Sequence, residues 1–160
     1  MNQRMSKTII SDTSCFIILT NIGELDLLNK LYGDILTTSV IAEEYGKPLP
    51  AWVIIANPSE MDFNHILELT PDRGEASAIA LALEIKDCVL IVDDYKARVI
   101  AVGLGIEIKG TIGVIVSAKL KGIIPSIKPV LEKIKNTNFR LSEEIEQLAL
   151  KQAGEKTNNN

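Results

Sequence analysis

Two short runs of branched apolar residues stop abruptly on acids. Lys7–Ser11 runs into Asp12, and Cys88–Val92 runs into Asp93-Asp94. A run this apolar reads as a strand covered on both faces, the situation of a parallel sheet between helices. Ile35–Thr37, Trp52–Ala56 and Ile106–Ile108 are further short strands. Helical stretches fall between them. Thr13–Thr20 suits a helix, and Glu24–Leu31 places apolar residues at 25, 27, 28 and 31. Thr38 or Ser39 is a cap for a helix reaching Tyr45. Thr70-Pro71-Asp72 reads as a cap, a proline at the first helical position and an acid in the first turn, opening an alanine-rich helix to Ile85. Asp93-Asp94 opens a helix to Val102, and Gly110-Thr111 one to Leu120. Two more span about 127–135 and 142–152. This alternation predicts an α/β fold with a central, mostly parallel twisted sheet flanked by helices. No repeat or linker divides the 160 residues, so residues 1–153 are expected to form one domain and 154–160 an unstructured tail.

Composition narrows the chemistry. No apolar run is long enough for a transmembrane helix, and Asp12 interrupts the only stretch resembling a secretory signal. A soluble cytoplasmic protein without a membrane partner is expected. Cys15 and Cys88 lie far apart among apolar residues and have neither disulfide nor zinc spacing, so they read as buried small hydrophobes. The single histidine, His65, sits in a polar stretch after Pro58 and reads as a surface or linker residue. Any chemistry therefore runs on carboxylates, hydroxyls and cations.

The carboxylates fall where such a sheet binds ligands, outside the carboxyl ends of its strands. Asp12 leaves the first strand, and Asp93 and Asp94 leave the Cys88–Val92 strand. If these strands are neighbours, the acids repel one another unless a cation lies between them. Mg²⁺ suits that position, since it takes oxygen ligands and keeps several waters. Glu43, on the helix after a short strand, and Glu75 are the other candidates. Glu75 adjoins Gly74, and a glycine inside a helix costs about 1 kcal/mol relative to alanine. Something approaching the backbone closely gives that glycine a reason. Each acid also has a structural alternative: Asp12 as a turn or cap, Asp93 or Asp94 as an N-cap, Glu43 and Glu44 as solvated charges, Glu75 as a helix-dipole partner.

Five segments in this order carry a resemblance: Ile9-Ile10-Ser11-Asp12-Thr13-Ser14, Val40-Ile41-Ala42-Glu43-Glu44, Gly74 to Ala82, Leu90 to Arg98, and Gly110-Thr111-Ile112-Gly113. Across residues 7–150 the chain resembles the PIN-domain nucleases, and its closest likeness is to the prokaryotic VapC toxins of toxin–antitoxin modules. The resemblance implies a single-domain PIN-like fold and a ribonuclease that uses Mg²⁺ or Mn²⁺ in an acidic cluster. It assigns Asp12, Glu43, Glu75 and Asp93 as catalytic and metal-binding. Asp94 is a further metal residue, through water or as a cap. Many relatives carry Asp where this chain has Glu75. One carboxylate, Glu43 or Asp93, is expected to orient or deprotonate the attacking water. Thr13 and Thr111 are candidates for binding phosphate or for capping.

The resemblance also implies RNA as substrate, a homodimer, and a silencing antitoxin that places a basic side chain among the acids. The chain is acidic, with 17 Lys and Arg against 21 Asp and Glu. Residues 109–140 nevertheless carry +6, leaving −10 elsewhere. This segment is either a phosphate-binding surface or ordinary helix lysines. Lys96 and Arg98 follow the Asp93-Asp94 pair and are candidates to meet a phosphate. The apolar residues of Asn21–Leu31 are either a partner groove or core. The rival reading is a non-catalytic PIN-like α/β binding module whose acids are structural. A haloacid-dehalogenase-type phosphatase lacks its second Asp here, and no G-x-G-x-x-G follows the first strand.

Overall fold

The computed structural model describes residues 7–157. In chain order the elements are β1 (Thr8–Ser11), α1 (Thr13–Asn21), α2 (Asp26–Tyr32), β2 (Ile35–Thr37), α3 (Ser39–Tyr45), β3 (Val53–Ile55), α4 (Glu60–Leu67) and α5 (Arg73–Glu84). They continue with β4 (Cys88–Ile91), α6 (Tyr95–Gly103), β5 (Glu107–Lys109), α7 (Thr111–Leu120), α8 (Lys128–Lys135) and α9 (Glu143–Gln152).

The strands form one sheet in the order β3-β2-β1-β4-β5, parallel throughout. The two acid-terminated strands are therefore neighbours. Ser11 lies opposite Ile91, and the Asp12 amide donates to the Ile91 carbonyl at 3.0 Å. Strand order reverses between β1 and β4, which opens a crevice at their carboxyl ends.

Burial follows the sequence pattern. All four residues of β4 are buried, as both-face coverage requires. Ala76, Ala78, Ala80 and Ala82 of α5 are buried, so this helix packs closely against β1 and β4. Ile22, Leu27, Leu28 and Leu31 belong to the core, which settles the 21–31 stretch as packing. Cys15 and Cys88 are buried and free, and burial pushes the Cys15 thiol up to about 12. His65 is an exposed residue in the last turn of α4.

Three local readings change. Helix α4 occupies the polar stretch after Pro58. It buries Ile66 alone among its apolar residues, so its periodicity is faint, yet Ser59 caps it by accepting from the Asp62 amide. Asp72, not Thr70, is the N-cap of α5, and Pro71 precedes the helix instead of opening it. Gly154–Thr157 was expected in an unstructured tail. Instead, Glu155 accepts from the Ile127 amide at 2.8 Å and pairs with Lys119 at 3.5 Å, which ties the chain after α9 to α7 and to the start of α8. Residues 1–6 and 158–160 of the expected domain and tail lie outside the described residues.

Candidate active site

At the crevice lies a cleft of about 430 Å³ lined by Asp12, Glu44, Asp72, Glu75, Asp93 and Asp94, with Thr13, Ser14, Ile17 and Phe139. Six carboxylates line it and no Lys, Arg or His does. Asp12, Glu75, Asp93 and Asp94 are thus brought together as the sequence suggested. Glu43 is not among them.

Helix geometry explains the exchange of Glu43 for Glu44. Ile41 is fully buried and marks the inward face of α3. At about 100° per residue, position 44 returns to within roughly 60° of that face, whereas 43 points away. The helix is locked in this rotation. The Phe16 and Tyr45 rings pack at a 55° tilt with centroids 5.9 Å apart, and the Thr20 and Tyr45 hydroxyls lie 2.7 Å apart. A buried donor chain ties its start to α5: the Ile41 amide donates to Thr38 Oγ1, Thr38 to Ser77 Oγ, and Ser77 to the Gly74 carbonyl.

That register drives the Glu44 carboxylate onto Gly74. A Cβ there would stand 2.8 Å from both Cδ and Oε1 of Glu44. The glycine singled out by its helix penalty is the space this carboxylate occupies.

Each acid is held differently. Asp12 occupies the N-cap position of α1, but its side chain makes no capping bond. It is 5% exposed. Burial drives its carboxyl up to about 7, with repulsion from Asp72, Glu44 and Asp93 adding to the rise and the Thr13 amide opposing it. Glu75, half-buried, is also raised to about 7, first by desolvation and then by Asp72, Asp94, Asp12 and Glu44. Asp93 accepts from the Thr111 amide at 2.8 Å, the Thr111 hydroxyl at 2.6 Å and Ser14 Oγ at 3.1 Å. Asp72 and Asp94 cap α5 and α6 through the Glu75 and Ala97 amides. The Thr13 hydroxyl donates to Glu44 at 2.7 Å. Thr13 and Thr111 each orient a carboxylate here.

The basic residues sort themselves too. Lys119, Lys133 and Lys135 are in ion pairs, and Lys109 donates to Ser117. This favours the ordinary-lysine reading for those four. Arg98 and Arg140 line a groove adjoining the cleft, and Lys96 lines neither.

A family model described as a PIN domain matches residues 8–155. The chain belongs to the PIN-domain family. No curated protein matches it. PIN domains are nucleases in general, so this is a nuclease-type hydrolase fold that handles nucleic acid, and its members typically employ divalent metals. The cleft can be judged against such an ion. Its donors are all hard oxygens, and two of them sit near neutrality because nothing positive offsets their burial and crowding. Among the described residues no three His, Cys, Asp or Glu side chains already stand in ligating position. Mg²⁺ asks for only one or two direct carboxylates and fills its remaining positions with water, so the PIN-domain cleft fits it by chemistry without a preformed cage.

Glu44 and Asp72 were not foreseen as site residues. The sequence signal for Glu44 was Gly74 alone, a glycine inside a helix that some group must approach closely. The signal for Asp72 was its position three residues before Glu75, where a cap also faces the cleft.

Proposed function

We propose that the protein is a metal-dependent endoribonuclease that hydrolyses RNA phosphodiester bonds with Mg²⁺ or Mn²⁺, and that it is the VapC-like toxin of a toxin–antitoxin module. The observation that carries the reading is the cleft at the strand-order reversal, with six carboxylates and no cation of its own. One or two of Asp12, Glu44 and Asp93 would bind the ion directly, and the remaining cleft acids, Glu75, Asp94 and Asp72 among them, would reach it through its waters. When bound, the ion supplies positive charge to the transferring phosphate and acidifies a water. The chain's own groups divide the remaining work. Asp93, fixed by three donors, is an orienting ligand. Glu43 lies outside the cleft. Glu75, half-buried in the cleft wall, is the group assigned to take the proton from the attacking water.

The decisive assay is cleavage of a labelled RNA by wild type and Asp12→Asn, with Mg²⁺, Mn²⁺ or chelator. The expected result is divalent-dependent cutting reduced at least about 100-fold in the variant. Equal cutting by both, or cutting in chelator, contradicts it. The toxin reading adds growth arrest on expression of wild type but not Asp12→Asn, relieved by a small antitoxin that places a cation in the cleft. It also adds a homodimer in the cytoplasm. The exposed stripe of Tyr95, Val99 and Val102 on α6 supports self-association, and sedimentation tests it. No described helix is long and apolar enough to cross a membrane.

A non-catalytic binding module draws support from one observation, that Asp72 and Asp94 already serve as helix caps. It predicts no divalent binding and no effect of Asp12→Asn.

A further inference from the structure

Beside the acid cleft runs a second groove of about 340 Å³. Asp93 and Phe139 line both. The groove wall differs from the cleft wall. It contains Arg98 and Arg140, together with Ile145 and Leu148 of α9. Helix α9 docks on its own domain through Ala149 and Leu150, while Ile145 and Leu148 remain exposed.

The groove is built in a way that packing alone does not require. Phe139 sits in the polar loop joining α8 to α9, where Thr137 Oγ1 accepts from its amide at 3.2 Å and donates to the Ile134 carbonyl at 2.6 Å. This turn holds an aromatic ring, partly buried against the core, at the junction of the two depressions. Arg140 follows it, is exposed, and has no hydrogen bond or ion pair among the described residues. Arg98 uses one donor, on the Val92 carbonyl at 3.4 Å, and leaves the rest of its guanidinium free. Gly110 makes room for it, since a Cβ there would lie 2.8 Å from Arg98 Nη1 and 3.1 Å from Asp93 Oδ1.

An aromatic ring at the junction and two unspent arginines along the same groove, beside a cleft that repels anions, are complementary to one repeating unit of a single strand. The base stacks, and the phosphates on either side meet guanidinium. A duplex cannot offer that face, because its bases are already stacked. We propose that this groove is a nucleotide subsite for single-stranded RNA, with Phe139 stacking on an unpaired base next to the scissile phosphate and Arg98 and Arg140 binding the flanking phosphates. The choice of RNA rests on the nuclease reading above; the subsite itself does not depend on cleavage.

The test is binding of a fluorescently labelled single-stranded RNA octamer, with calcium replacing magnesium and manganese, to wild type, Phe139→Leu, Phe139→Trp and Arg140→Ala. Leucine keeps apolar packing but removes the ring, so affinity should fall on the order of tenfold, while tryptophan should keep it. Arg140→Ala, at an exposed position that folding does not need, should weaken binding and lower the salt slope by about one. Duplex RNA of the same sequence should bind weakly to all four. Wild-type affinity in Phe139→Leu, absence of wild-type binding, or equal affinity for duplex overturns the subsite. Discriminating binding without any cleavage in magnesium upholds the subsite and sinks the nuclease reading, whereas cleavage with no Phe139 effect does the reverse.

Discussion

At the scale of single residues, the site turns on which side of α3 faces the cleft. Glu43 and Glu44 are adjacent acids with the same intrinsic chemistry, separated by about 100° of helix rotation. Under the nuclease reading, Glu44→Gln should reduce metal-dependent RNA cleavage at least about 100-fold, while Glu43→Gln should stay within about twofold. A single cleavage assay on both variants checks it. Gly74→Ala makes a companion case. Alanine is the better helix former by about 1 kcal/mol, but its Cβ would displace the Glu44 carboxylate, a flexible group that can move aside. Melting temperature should hold or rise while cleavage drops on the order of tenfold. A fall in both would mean that the glycine serves packing instead of carboxylate placement. The residue types were legible in the sequence. The helical phase was not, because either Glu fits the same spacing from Ser39 until Ile41 is known to be buried.

At the scale of elements, the cleft is held by contacts between helix starts. The N-termini of α1, α5, α6 and α7 all present amides or cap residues there, through Asp12, Asp72, Asp94 and the Asp93–Thr111 bonds. The chain Ile41 amide–Thr38–Ser77–Gly74 carbonyl sets α3 against α5. Ser77→Ala strands the Thr38 hydroxyl and removes a buried partner, which should destabilise by about 1–3 kcal/mol. It should also lower cleavage through Glu44, read by thermal denaturation and assay together. Most elements were legible because strands ending on acids and capped helix starts are local signals. Helix α4 was not, since one buried residue leaves little periodicity, and the Ser59–Asp62 cap was its only mark. Phe139 was also illegible. Its position at the cleft depends on how α8 and α9 pack, which no local pattern encodes.

For the whole molecule, the crowded carboxylates make the metal-free fold sensitive to pH. Asp12 and Glu75 are raised in the folded state to about 7. Unfolded carboxyls release their protons near 4. Folding therefore favours the protonated forms. Stability is greatest below about pH 4 with respect to these groups and is lost as pH rises toward 7 and just above it. In chelator, melting temperature should fall on the order of 5 °C between pH 5 and 8 relative to Asp12→Asn, whose side chain carries no charge. Manganese should restore it at pH 8. A difference between the two proteins that does not vary with pH would show that Asp12 does not carry this strain.

The most direct test is calorimetric titration of Mn²⁺ into wild type and Asp12→Asn at pH 7, in two buffers of different ionisation enthalpy. Carboxyls half-protonated at that pH must release protons when a cation arrives. The cleft as described predicts saturable binding in wild type with proton release that differs between the buffers, and loss of most of that affinity in Asp12→Asn. Binding that is identical in the two proteins, or no binding by wild type, would contradict a metal-dependent cleft.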